Sequence, residues 1–152
     1  QNAPRAFLEA ECYKNCMFSL RAMMTLPRLE LDKVAVKPLG GGVYELNALV
    51  RNLGYLPTSG SYQAHLVNKA RPLEAWVSGE GIEVVGKAKK EIGHLDGRAG
   101  DNRGFGGGYF RGGAATRETR VGWVVKGKEG TVVTIAVSGE RAGRAEARVA
   151  LE

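Results

Sequence analysis

Glu91-x-x-His94-x-Asp96 is the one place in the chain where a histidine meets two carboxylates within a few residues. An imidazole and two carboxylates make a metal site or an acid–base set when they converge on one point. On a continuous strand they do not converge. Glu91 and His94 are an odd number of steps apart and point to opposite faces, so the three meet only where a turn begins at Gly93. A structural strand end is the expected role, with Glu91, His94 and Asp96 kept as candidate metal ligands. Zinc hydrolases of the two-histidine kind use His-x-x-Glu and a distant second histidine, which hold the ion and leave a water position open. Here Glu91 precedes His94, which reverses the geometry, and His65 is followed by Asn68 where a glutamate is needed.

Nucleophiles are no better placed. Ser19, Ser59, Ser61, Ser78 and Ser138 lack the Gly-x-Ser-x-Gly elbow. Cys12 and Cys16, the two cysteines of the chain, sit on adjacent turns of one helical stretch and supply at most half a zinc site. With no second pair at ligand spacing, a buried apolar role on that helix is expected for both. They cannot staple a sandwich, and they leave the redox compartment open. Neither catalysis nor a bound cofactor is expected of this chain.

The segment 97–113 is rich in glycine and arginine, with Phe105, Tyr109 and Phe110 interleaved. Arg103-Gly104-Phe105 and Arg111-Gly112-Gly113 look like pieces of an RNA-binding arginine–glycine box, in which guanidinium groups meet phosphate and aromatic rings stack on bases. The segment is short and unrepeated, and it lacks the Gly-Lys-Ser/Thr ending of a phosphate-cradling loop. A loop between two strands is the favoured reading and nucleic acid the disfavoured one. As ligand contacts the candidates are Arg103, Phe105, Tyr109, Phe110 and Arg111, facing an extended glycan or a neighbouring domain.

With 152 residues the chain suffices for one domain with its own core. Its net charge of +6 is spread rather than blocked, which favours a solvated basic surface over a dedicated patch while permitting anionic envelope polymers. No apolar run reaches transmembrane length, and the N-terminus carries no signal-peptide pattern. If Gln1-Asn2-Ala3 is a tag remnant, the chain is an excised fragment, and a signal peptide on its parent would not be visible in this sequence.

The elements that must position these residues are a helix and then strands. Ala10, Tyr13, Met17, Leu20 and Met24 recur at steps of three and four, with Cys16 and Met23 widening the stripe, which predicts an amphipathic helix over 5–26. Glu9 and Glu11 suit its positive end, Arg21 its other end, and Pro27 stops it. The methionines are expected to pack, although a stripe that has lost its neighbour would leave a patch for self-association. A division into a helix (1–27) and a β-domain (28–152) follows. From Leu29 the period becomes two: Leu29 and Leu31, then Val34 and Val36. Gly40-Gly41-Gly42 predicts a hairpin with a longer glycine loop into the strand of Tyr44, Leu46, Ala48 and Val50. Further strands are expected over 71–77, 82–85, 87–95, 119–126, 131–138 and 144–151, with a brief helical turn over 61–68. Short strands with glycine-rich breaks and no second helix for crossovers give a mainly β fold. The expectation is an Ig-like or fibronectin-like antiparallel β-sandwich of about seven to eight strands, preceded by one N-terminal amphipathic helix. Trp123 should face inward between Val121 and Val125, without an inter-sheet disulfide.

Asn52-Leu53-Gly54-Tyr55-Leu56-Pro57-Thr58 marks a strand running into a tight corner. An asparagine side chain bonds nearby backbone amides, and Gly54 is expected to supply a positive φ. Asn52, Gly54, Tyr55, Pro57 and Trp123 are structural candidates.

Together with Leu26-Pro27-Arg28-Leu29, Leu39-Gly40-Gly41-Gly42-Val43-Tyr44, Arg71-Pro72-Leu73, the run from Glu91 to Gly100 and Ala142-Gly143, the Asn52 corner resembles the C-terminal β-sandwich of exported bacterial zinc carboxypeptidases of the carboxypeptidase A type. The likeness spans residues 18–151. It implies a periplasmic or secreted parent in which zinc-bound water removes C-terminal residues from peptides. The present chain would be its non-catalytic accessory domain, and the helix the connector from, or tail of, the catalytic domain. None of that family's zinc ligands, nor its catalytic glutamate, falls on this sequence. The implied partner is the peptidase domain in cis, and the alternative is a free-standing glycan- or envelope-binding module.

Overall fold

The computed structural model describes residues 4–61, 63, 64, 67, 69–101 and 116–152. A short 3-10 turn at Arg5–Phe7 leads into α1 (Leu8–Met24), and the strands that follow are β1 (Leu29–Gly40), β2 (Val43–Asn52), β3 (Leu73–Ser78), β4 (Glu83–Val85), β5 (Lys89–Gly93), β6 (Glu118–Lys126), β7 (Val132–Gly139) and β8 (Gly143–Ala150), with a second 3-10 turn at Arg98–Asp101 and helical backbone at Gln63 and Ala64, inside the expected turn over 61–68. They form two antiparallel four-stranded sheets, ordered β1-β2-β6-β4 and β5-β3-β7-β8. The first has the neighbour order of strands A-B-E-D of an immunoglobulin domain, and β3-β7-β8 matches C-F-G, so the expected Ig-like sandwich is present.

The phase slip in β1 has a visible cause. Leu29 and Leu31 alternate on odd positions and Val34 and Val36 on even ones. A bulge between Asp32 and Ala35 absorbs the extra residue. Lys33 takes the left-handed conformation there (φ 46°), and its N–H donates to Asp32 Oδ1 at 2.8 Å. The β1–β2 loop is shorter than expected. Gly41 and Gly42 alone make it, both at positive φ, because a primed two-residue turn matches the twist of the paired strands.

After β3 the chain crosses to pair β4 with β6, then recrosses to pair β5 with β3. Gly81 and Gly86, both at positive φ, sit at the two crossings. The crossings shorten the two expected strands at 82–85 and 87–95 to three and five residues. Leu46, Val50, Trp123 and Val125 of one sheet meet Ala75, Val77, Ile135 and Val137 of the other, and Leu95 and Leu151 complete the core. Trp123 faces inward, 3% exposed, as its position between Val121 and Val125 predicts. Its indole N–H donates to the Ala88 carbonyl at 2.9 Å, and Lys90 Nζ lies 5.6 Å from the ring centroid. Lys90 also donates to the Gly122 carbonyl at 2.5 Å, which ties β5 to β6 across the open side of the sandwich.

The helix departs from expectation in its environment. α1 buries none of its residues. Met24 is 84% and Phe18 73% exposed, Met23 is exposed as well, and Cys12 and Cys16 are exposed thiols rather than buried apolar fillers. The periodicity is real, but nothing in the described part of the chain covers the stripe. No helix is long and apolar enough to cross a membrane among the described residues.

Candidate functional site

The most connected polar group is the Asn52 side chain, 3% exposed at the end of β2. Its Oδ1 accepts the Gly54 N–H at 2.9 Å and the Arg28 N–H at 3.0 Å. Its Nδ2 donates to the Leu56 carbonyl at 2.9 Å and the Asp96 carbonyl at 3.1 Å. Two acceptor sites and two donors exhaust a primary amide, so this buried group is fully satisfied. The Asn52 backbone N–H adds a bond to the Arg117 carbonyl at 2.9 Å. One residue thus joins the exit of α1, its own corner, the segment after β5 and the entry to β6.

Neighbouring backbone bonds repeat the pattern. Leu56 N–H reaches the Thr25 carbonyl and Leu53 N–H the Arg28 carbonyl, both at 2.9 Å. Arg98 and Ala99 N–H groups reach Gly54 and Tyr55 carbonyls at 3.1 and 2.9 Å. Thr58 and Leu95 bond reciprocally, the Thr58 N–H to the Leu95 carbonyl and the Leu95 N–H to Thr58 Oγ1, each at 2.9 Å.

Gly54 corrects the sequence expectation. It does not adopt positive φ; glycine is required there by close approach. A Cβ would lie 2.5 Å from Pro27 Cα and collide with the Leu26 carbonyl oxygen. Gly97 is its counterpart: a Cβ there would sit 2.5 Å from the Leu56 carbonyl oxygen. Tyr55 is exposed and Pro57 half-buried at the outer rim of the corner.

Gly93 ends β5 at positive φ (75°), so a turn does begin where convergence of Glu91, His94 and Asp96 would need one. Glu91 nonetheless stands exposed on β5, opposite Glu74, while His94 is half-buried. Asp96 serves the backbone: its Oδ2 accepts the Thr116 N–H at 2.9 Å, its N–H donates to the Thr116 carbonyl at 2.9 Å, and its carbonyl accepts from Asn52. Among the described residues no group of three or more His, Cys, Asp or Glu side chains is placed to hold a metal ion. Arg103, Phe105, Tyr109, Phe110 and Arg111, the ligand contacts expected from sequence, lie outside the described residues, as does His65.

Sequence reasoning missed the distant partners of the corner, Thr25, Arg28, Asp96 and Gly97. The Asp96-Gly97 pair was a local signal of a tight approach, but nothing in it names Leu56 as the group approached. It also missed Trp76, half-buried on the outer face of β3, where the Arg144 guanidinium lies 5.0 Å from the ring centroid and pairs with Glu146.

A sequence model of a protein family, described as Domain of unknown function (DUF8731), matches residues 28–150. The chain belongs to this family. No curated protein matches it.

Proposed function

We propose that the chain is a non-catalytic accessory module that stabilises or positions an enzyme domain carried on α1, and that this enzyme is an exported zinc carboxypeptidase. The observation that carries the reading is the helix. Leu8, Cys12, Cys16, Leu20 and Met23 descend one side of α1, Tyr13 and Met24 widen it beyond Leu20, and all are exposed. At 100° per residue these side chains cover close to half the circumference. A single partner helix needs only a narrow seam, so a face this wide suits the surface of a folded domain. The resemblance supplies the identity of that domain. The zinc, its ligands and the peptide chemistry would all belong to the domain on the far side of α1, outside the cytoplasm.

Hydrogen exchange on α1 tests this reading, comparing the chain alone with the chain joined to the peptidase domain. Amides of α1 should gain protection by at least about tenfold on joining, and the peptidase domain should melt higher with the sandwich than without it. Unchanged exchange in α1 would contradict the reading.

A further inference from the structure

Four residues, Thr25 to Arg28, separate the end of α1 from the start of β1. A free connector of that length would let the helix swing, since flexible chains spread by roughly 5–6 Å times the square root of their length. Every residue of this connector is engaged instead. The Thr25 hydroxyl donates to the Ala22 carbonyl at 2.7 Å and the Leu26 N–H to the Met23 carbonyl at 3.2 Å, which carries the helical bonding past its last turn. The Thr25 carbonyl is held by Leu56 N–H, and the Leu26 carbonyl and buried Pro27 press on Gly54. The Arg28 N–H is held by Asn52 Oδ1 and its carbonyl by Leu53 N–H.

We propose that Asn52, together with the Gly54 contact, locks α1 to the sandwich as a rigid arm, so that a domain carried on α1 is held in one orientation rather than on a tether. What the arm carries rests on the accessory-domain reading above. The stiffness of the joint does not, and it is a property of this chain alone. Asn52 is a positioning residue: it reaches the arm only through the backbone of Arg28, while its other bonds fix the corner on which Pro27 leans. Chain direction at the exit is therefore set from both sides of the connector.

The test is a pair of spin labels measured by pulsed dipolar spectroscopy in a Cys12→Ser, Cys16→Ser background. One pair is Arg21→Cys with Lys126→Cys, exposed positions on the arm and the sandwich; the control is Ser78→Cys with Lys126→Cys, within the sandwich. A rigid arm gives the two pairs distance distributions of similar width, and Asn52→Ala broadens the first by about twofold while leaving the second narrow. An arm–sandwich distribution already about twice as wide as the control with Asn52 intact would overturn the proposal, whether or not the Asn52→Ala chain folds. So would an Asn52→Ala chain that keeps both narrow. Neither outcome depends on the carboxypeptidase reading, which fails separately through α1 exchange in the joined protein.

Discussion

The Asn52 side-chain amide donates to the main-chain carbonyl of Asp96 at 3.1 Å, joining two parts of the chain 44 residues apart. Asp96 returns the connection to the entry of β6 through its two bonds to Thr116. A corner that reads locally as punctuation is thereby a meeting point for the helix exit and both sheets' connecting segments.

Asn52→Ala should cost about 3 kcal/mol in urea unfolding, because it removes a fully satisfied buried amide and leaves one buried N–H and three part-buried backbone groups without their partner. Asn52→Asp should be no milder, since the carboxylate puts an acceptor against the Leu56 and Asp96 carbonyls where a donor stood. A loss below about 1 kcal/mol for both would show that water takes over these bonds.

Gly54→Ala and Gly97→Ala should each lower stability by about 3 kcal/mol through overlap with backbone that cannot swing aside. Gly130→Ala is the useful contrast. A Cβ there meets nothing within 4 Å, and its positive φ (81°) leaves about 1 kcal/mol of conformational strain. Thermal melts of the three variants check the order.

Trp123→Phe should destabilise by about 2 kcal/mol, combining the lost bond to Ala88 with the space left in the core. Lys90→Ala should cost about 1 kcal/mol, for its bond to Gly122 and its place near the ring. Their double variant should be less than additive if Lys90 acts partly through Trp123.

Cys12 and Cys16, being exposed, should both react with a thiol reagent in the native chain at rates within about threefold of the denatured chain. In a protein that joins the chain to the proposed enzyme domain the same thiols should slow by at least about tenfold, since they lie on the face proposed to dock.

The sandwich was legible because its signals are local. Alternation in Tyr44, Leu46, Ala48 and Val50, glycines at the turns and the inward Trp123 each speak within a few residues. The bulge at Lys33 was visible only as a change of phase between Leu31 and Val34. Strands β4 and β5 came out short because the chain changes sheets between them, a matter of topology that no local window contains. The helix was legible too, but not its exposure: periodicity says which face wants burial, not what supplies it. Likewise Gly54 announced a special backbone position, while the reason for it, contact with Pro27, lies in a segment remote in sequence.

The most direct measurement is the coding sequence upstream of Gln1 in the native gene. The account predicts a domain there with His-x-x-Glu and a distant second histidine, joined to the sandwich through α1. A start codon or a signal peptide immediately before Gln1 would contradict it and make the chain a free-standing binding protein.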